Sequence, residues 1–254
     1  MLSQERQKQI HDIIRQRKSV SVTDLSEQFQ ASLSTIRRDL KEMETRGLIT
    51  RVHGGALLAN GDAEKESPVL LRRDVNTEAK RRIGEAAARL VSDGDTITLT
   101  AGSTVEAMLP YLVERENLTI VTNVINIAYK LTAYPHITVV VLGGWLRHSE
   151  FSLLGHLTRE SLRDLYTSKI FHSTYGLDPE YGLTGTYVQE VETDRLLIDA
   201  AAQLIVLADA SKFKQAGTIR LVPTERIHTL ITDSATSEDD IRKLEARGVS
   251  VIRA

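Results

Sequence analysis

Apolar residues recur at helical spacing three times in the first fifty positions. Ile10, Ile13 and Ile14 share one face of a helix predicted over Ser3–Arg17. Val22, Leu25 and Phe29 do the same in a shorter helix. That helix opens at Ser21-Val-Thr-Asp24, where a serine precedes an acid by three residues as in a capping box. Leu33, Ile36, Leu40 and Met43 then follow at spacings of three, four and three. They predict the buried face of a third helix over 32–46, capped by Ser32 and closed by Gly47. Residues 48–56 break into two short β-type stretches at the Gly54-Gly55 pair, the pattern of a small hairpin or wing.

Past Pro68 the period changes. Short apolar runs of strand length fall at 96–99, 118–121, 137–142, 169–171, 204–208, 229–231 and 249–252. Helical patterns lie between most of them, at 78–91, 105–113, 124–131, 159–165, 188–202 and 238–247. Strands alternating with helices predict an α/β domain with a mainly parallel sheet. The intervening Gly-, Pro- and charge-rich stretch 58–68 has no apolar period and reads as a linker. The expected organisation is a winged helix-turn-helix over 1–57, a linker over 58–77 and a larger α/β sensor domain over 78–254.

Charge sharpens that division. The chain of 254 residues has a formal net charge of −2, which on its face disfavours a polyanionic partner. Residues 1–58, however, hold ten of the 32 Lys/Arg against seven of the 34 Asp/Glu. The first part therefore carries a surplus of three cations and the remainder a deficit of five. Cysteine is absent, which excludes disulfides, thiol nucleophiles and cysteine-held metal centres and suits a reducing cytoplasm. The polar start predicts no secretory leader, and runs such as 137–142 are too short to span a bilayer.

At about 100° per residue, Ser34, Arg37, Arg38, Lys41 and Thr45 fall opposite the apolar stripe of the third helix. A charge run usually marks a solvated face. Two short helices before this one and a wing carrying Arg51 and His53 after it favour insertion into the DNA major groove. There Arg can take a guanine edge bidentately, while Lys, Ser and Thr hold phosphates.

In the α/β part the loops after strands are the places to look for a ligand. Gly102-Ser103-Thr104 offers close backbone approach and hydroxyls to an anion, or caps its helix. Asn123 can bond a ligand hydroxyl or cap the next helix. Gly143-Gly144 with Arg147 can receive a phosphate or carboxylate, or form a turn with a solvated Arg. Lys212, in Asp209-Ala-Ser211-Lys212, can act as a point charge for an anion. No dinucleotide-binding, phosphate-loop, nucleophile-elbow or metalloprotease motif is present. Glu190 and Glu192, two apart, make a poor carboxylate pair.

Arg6-x3-Ile10-x3-Ile14, followed after seventeen residues by Ser32-x2-Thr35-Ile36-Arg37-Arg38-Asp39-Leu40, resembles the helix-turn-helix signature of the DeoR family. Arg51-Val-His53-Gly54-Gly55-Ala56 is similar to that family's wing. The segments Asp93-Gly94-Asp95-Thr96, Gly102-Ser103-Thr104, Thr122-Asn123, Gly143-Gly144-x2-Arg147, Gly176-Leu-Asp178, Gly182-Leu183-Thr184, Glu190-x-Glu192 and Asp209-x-Ser211-Lys212-Phe213 resemble its sensor domain, a relative of ribose-5-phosphate isomerase. The likeness spans nearly the whole chain.

The resemblance implies a bacterial transcription regulator that is not an enzyme and is usually a repressor in carbohydrate metabolism. DNA contacts would come from Ser34, Thr35, Arg37, Arg38, Lys41, Arg51 and His53. Asp39 itself is expected to pair with a nearby Arg or to order the helix rather than to contact DNA, because a carboxylate facing phosphate is repelled. The effector would be a phosphorylated sugar or related metabolite, held by Gly102, Ser103, Thr104, Asn123, Gly143, Gly144, Arg147, Tyr175, Gly176, Glu190 and Lys212.

No cofactor or metal is expected. Double-stranded operator DNA, a small-molecule effector and further copies of the chain are the expected partners, with no membrane. Two departures stand out. The family often has Asp where this chain has Thr100 and Tyr175, so the alternative, an isomerase-like enzyme with a regulatory module, lacks its acids.

Overall fold

In the computed structural model, residues 3–17, 19–45, 48–52, 54–58 and 68–254 are described. Two compact units divide between Val75 and Asn76.

The first unit runs α1 (Ser3–Arg17), β1 (Ser19–Ser21), α2 (Val22–Phe29), α3 (Leu33–Thr45), β2 (Ile49–Val52), β3 (Gly55–Leu58) and α4 (Val69–Arg73). Its core is built from Ile10 and Ile14 of α1, Leu25 of α2, Ile36, Leu40 and Met43 of α3, and Ile49 and Ala56 of the sheet. The Ser21 hydroxyl accepts from the Asp24 backbone N–H at 2.9 Å, starting α2 as the capping pattern predicts. The Ser32 hydroxyl accepts from the Thr35 N–H at 3.2 Å and starts α3. β3 pairs antiparallel with both β1 and β2, with Arg51 opposite Ala56, which forms the predicted wing. Gly54, at φ 88°, turns the chain between β2 and β3.

Two expectations need correction here. Leu33 is not in the core: it occupies the first position of α3, a turn ahead of the packed residues, and is 44% exposed. The stripe is completed instead by Asp39, which is buried. The span read as a linker is also not wholly irregular, since Val69–Arg73 forms a helix directly after Pro68. Arg46, Gly47, His53 and the linker's central residues 59–67 lie outside the described residues.

The second unit runs α5 (Thr77–Ala88), β4 (Thr96–Leu99), α6 (Ser103–Glu106), β5 (Thr119–Thr122), α7 (Ile125–Leu131), β6 (Thr138–Val141), β7 (Trp145–Arg147), β8 (Ser152–Leu154), α8 (His156–Leu162) and β9 (Thr167–Ser173). It continues with β10 (Gly176–Asp178), β11 (Gly182–Gly185), α9 (Val188–Asp199), β12 (Ala201–Leu207), β13 (Ile219–Val222), β14 (Thr229–Thr232), α10 (Glu238–Glu245) and β15 (Ser250–Arg253). Short 3-10 turns occupy Leu109–Tyr111, Ala210–Lys214 and Thr224–Arg226.

Seven strands form one sheet in the order β15-β14-β12-β9-β4-β5-β6, and every described pairing in it is parallel. Both faces are covered. Ile97, Leu99, Phe171 and Ile205 pack with α5, while Ile170, Val206 and Val121 pack with Val191 and Leu197 of α9. The helix expected over 105–113 is split into α6 and the 3-10 turn. Pro110 lies at its break, where a proline ring opposes a continuous helix. The predicted pattern also omits the small antiparallel pieces β7–β8 and β10-β11-β13, whose strands of three or four residues leave little periodicity.

Strand order reverses between β4 and β9. From β4 the chain steps outward to β5 and β6, then returns to β9 and steps the other way to β12, β14 and β15. That switch point, at the carboxyl ends of β4 and β9, is where doubly wound sheets open a ligand crevice.

Candidate DNA-reading face and sensor crevice

The outward face of α3 is set by what holds its inward face. Asp39 is 1% exposed, and its carboxylate accepts from Arg6 Nε at 2.5 Å and from Gln7 Nε2 at 3.3 Å. Gln7 also donates to Glu42 at 2.6 Å. These contacts tie α3 to α1 through its acids. The Asp39 hydrogen bond keeps the Arg6 guanidinium charged well beyond its ordinary range.

With that face locked, Ser34, Arg37, Arg38, Lys41 and Thr45 are exposed. Among the described residues none of the three cations is engaged in an ion pair. Thr35 is half-buried, its hydroxyl 2.8 Å from that of Ser32, and Ser34 reaches the same hydroxyl at 2.9 Å. Arg51 of the wing is held by Glu44: its N–H donates at 3.1 Å and its guanidinium lies 3.6 Å from the carboxylate. That surface pair is weak and opens readily to a phosphate. His53 lies outside the described residues.

In the second unit a polar row forms on the sheet face that packs against α9. Leu99 is in register with Thr122 of β5 and with Phe171 of β9, so one step further along the strands Asn123, Thr100 and His172 stand side by side. Neighbouring strands set them about 4.8 Å apart. The row continues into apolar Val206 on one side and Leu142 on the other. All three polar residues are at most 2% exposed. Thr100 Oγ1 lies 2.9 Å from His172 Nδ1. Burial pushes the His172 ring down to about 4, so it is neutral near pH 7. Asp194 of α9 faces it, 3.9 Å from Nε2. Asn123 donates through Nδ2 to the Leu153 carbonyl at 3.0 Å, while its buried Oδ1 has no hydrogen-bond partner.

Next to this row the hairpin β7–β8 is fastened to α9. Arg147 pairs with Glu190, and its guanidinium sits 4.6 Å from the centre of the Tyr187 ring. Ser152 donates to the other Glu190 oxygen at 3.2 Å. Arg147, a candidate anion ligand, therefore already has a carboxylate partner. A concavity of about 480 Å³ borders the pair, lined by Trp145, Leu154, His156, Tyr187 and Thr193 among others.

The glycine candidates have packing reasons. At Gly102, φ 138°, a Cβ would come within 2.4 Å of Ser173 Cβ, so the β4 and β9 loops touch through it. At Gly144, φ 154°, a Cβ would meet the Thr158 hydroxyl at 2.5 Å, and that hydroxyl donates to the Gly143 carbonyl at 2.6 Å. A Cβ on Gly176 would strike the Gln215 carbonyl oxygen at 2.1 Å. Ser103, Thr104 and Lys212 are buried, Tyr175 is half-buried, and Glu192 is exposed on the far side of α9 from Glu190. Asp209 caps the turn after β12, accepting from the Ser211 N–H at 2.9 Å and from Asn76 Nδ2 at 3.2 Å.

The sequence reading thus picks Asn123, Arg147 and Glu190 singly and misses Ser152, Tyr187 and Asp194 around them. One signal was available: Glu190 and Asp194 are four apart and share a helix face.

Among the described residues no helix is long and apolar enough to cross a membrane. Nor do any three His, Cys, Asp or Glu residues there gather into a metal-binding group.

Two family models match the sequence, the DeoR-like helix-turn-helix domain over residues 6–61 and the DeoR C terminal sensor domain over residues 75–234. Ribose 5-phosphate isomerase A of Methanocaldococcus jannaschii superposes with a TM-score of 0.41 at 18% identity, over 54% of each chain. The HTH-type transcriptional regulator GolR of Listeria innocua is 34% identical, over 97% of this chain and 97% of that protein. The glycerol-3-phosphate regulon repressor of Escherichia coli K12 is 30% identical over 92% of each.

Proposed function

Because this chain belongs to the DeoR family of DNA-binding transcription regulators, we propose that it represses a carbohydrate-metabolism operon and is released by a phosphorylated sugar or related metabolite. The observation that carries the reading is the division of α3. Ile36, Asp39, Leu40 and Met43 are buried and pinned to α1, and Arg37, Arg38 and Lys41 are left exposed on the opposite side. A helix so presented, followed by a wing, suits the major groove, with Arg37 and Arg38 at base edges and Lys41 and Ser34 at phosphates. Thr35, Arg51 and His53 are candidate flanking contacts.

The effector side rests on the switch-point position of Gly102, Ser103, Asn123 and the β7–β8 segment, and on the glycerol-3-phosphate named for one relative. The bound metabolite must favour one of two states of unequal operator affinity, since a ligand that binds both alike shifts nothing. The regulator acts in the cytoplasm as a homo-oligomer, its symmetry matching repeated half-sites.

The test is fluorescence anisotropy with labelled DNA from upstream of the chain's own gene. Binding at moderate salt should exceed that to shuffled DNA by about a thousandfold. Equal affinity for the two would reject the reading.

A further inference from the structure

The one tryptophan of the chain is on its surface. Trp145, in β7, is 64% exposed and stands edge-to-face with His156, the ring centres 5.3 Å apart. It stands at one end of a groove between α8 and α9. Gly155, just before α8, donates to the Thr193 hydroxyl at 3.4 Å. Thr167, past the end of α8, donates to the Ala200 carbonyl at 3.0 Å, so the two helices run side by side in the same direction. The concavity of about 480 Å³ beside Trp145 and a second of about 560 Å³ beside Tyr166 share Arg159 and Leu196, which makes them one groove.

The groove has an apolar floor that includes Leu154, Leu162 and Leu196. Its walls differ in charge. Arg159 stands on the α8 wall and Glu192 on the α9 wall, both exposed, and among the described residues neither is in an ion pair. Arg163 and Asp199 repeat the two signs further along. Val188, 56% exposed, sits one turn before Glu192 on the α9 side.

A cationic wall beside an acidic one is its own complement. A half-turn about an axis lying along the groove lays the α8 wall of one copy on the α9 wall of another. Arg159 then meets the partner's Glu192 and Trp145 meets the partner's Val188, each contact being made twice. A partner of one charge sign would satisfy one wall and be repelled by the other. We infer that this groove is the face through which two copies of the chain associate, with Trp145 as its anchor. The inference rests on the reading of the regulator as a homo-oligomer and deepens it by naming the surface and the direction of the axis.

The experiment is sedimentation velocity of the full-length protein, joined to acrylamide quenching of its single tryptophan. In the assembled wild type Trp145 should be several-fold less open to quencher than after dilution to the monomer. Arg159→Glu and Glu192→Arg should each weaken association about tenfold or more, because each sets like charges face to face at both contacts. Mixed together, the two variants should associate again, since the signs then match. Trp145→Ala should weaken association about thirtyfold or more, as loss of a central tryptophan does.

Association that neither reversal weakens, or that the mixture does not restore, overturns the assignment. So does an assembled wild type whose Trp145 is as open to quencher as in the monomer. Both results leave a homo-oligomer formed through another face. Protection of Trp145 that appears only on adding a sugar phosphate gives the groove to a small ligand and overturns the assignment too. A wild type that stays monomeric at every concentration, with and without operator DNA, overturns both this assignment and the oligomer reading. The wild-type quenching decides even where a variant does not fold.

Discussion

Arg6 of α1 donates to Asp39 of α3 at 2.5 Å, and the carboxylate it meets is 1% exposed. The acid in the Arg-Arg-Asp run thus faces the protein interior, and its two arginine neighbours face out. Replacing Asp39 by Ala removes the carboxylate that this buried guanidinium meets. The expected cost is about 3–5 kcal/mol, read from urea unfolding of the full chain, with Asp39→Asn less damaging. A loss below about 1 kcal/mol would mean that the pair does not hold α3.

Arg37 and Arg38 should each cost about 1–3 kcal/mol of operator binding when changed to Ala, with relaxed preference at one base position. Lys41→Ala should weaken binding to all sequences alike and lower the salt slope by about one. Anisotropy titrations over a range of salt, on operator and shuffled DNA, separate the two behaviours. Variants that bind as tightly as wild type at every salt would remove α3 from the interface.

Glu190 and Arg147 should be strongly coupled. Their side chains are 15% and 4% exposed, so Glu190→Ala leaves a buried cation and should cost about 3–5 kcal/mol. Replacing both by apolar residues, as in Arg147→Met with Glu190→Leu, should recover much of that loss. Chemical denaturation of Arg147→Met, Glu190→Leu and the double variant closes the cycle. Additive single-mutant costs would show that the two do not act as a pair.

His172 makes stability depend on pH. Its native pKa of about 4, lowered by burial, lies below the ordinary 6.5 of the unfolded chain. Above pH 6.5 the ring is neutral in both states and this group has no effect. As pH falls, the unfolded state gains a proton that the native state refuses, and stability drops by about 3 kcal/mol in total by pH 4. Denaturation midpoints near pH 7.5 and near pH 4.5 should therefore diverge more in the wild type than in His172→Gln. Equal divergence in the two would count against a neutral buried ring.

The elements most legible in the sequence are those whose signals are local. Ser21 three residues before Asp24 predicts where α2 begins, and the spacing of Ile36, Leu40 and Met43 predicts the buried face of α3. Leu33 misleads because periodicity alone does not say where a helix meets its core. The sheet's strands announce themselves as apolar runs, while β7, β8 and β10 are too short to do so.

The sensor row is harder to foresee. Glu190 and Arg147 are 43 positions apart, and Thr100 and His172 are 72 apart. The strand order brings Thr100 to His172, the packing of the β7–β8 hairpin on α9 brings Arg147 to Glu190, and no local pattern encodes either. Arg147 therefore reads as a free cation in the sequence and is a paired one in the fold.

The strand order also governs time. Joining β4 to β9 brings together residues about seventy positions apart, such as Thr100 and Phe171 at 71, whereas α1 and α3 meet across 33. Long-range parallel pairing is slow, and short-range helical packing is fast. Synthesis also delivers the first unit before the second. The DNA-reading helix is therefore expected to fold on each new chain before the sensing sheet is assembled.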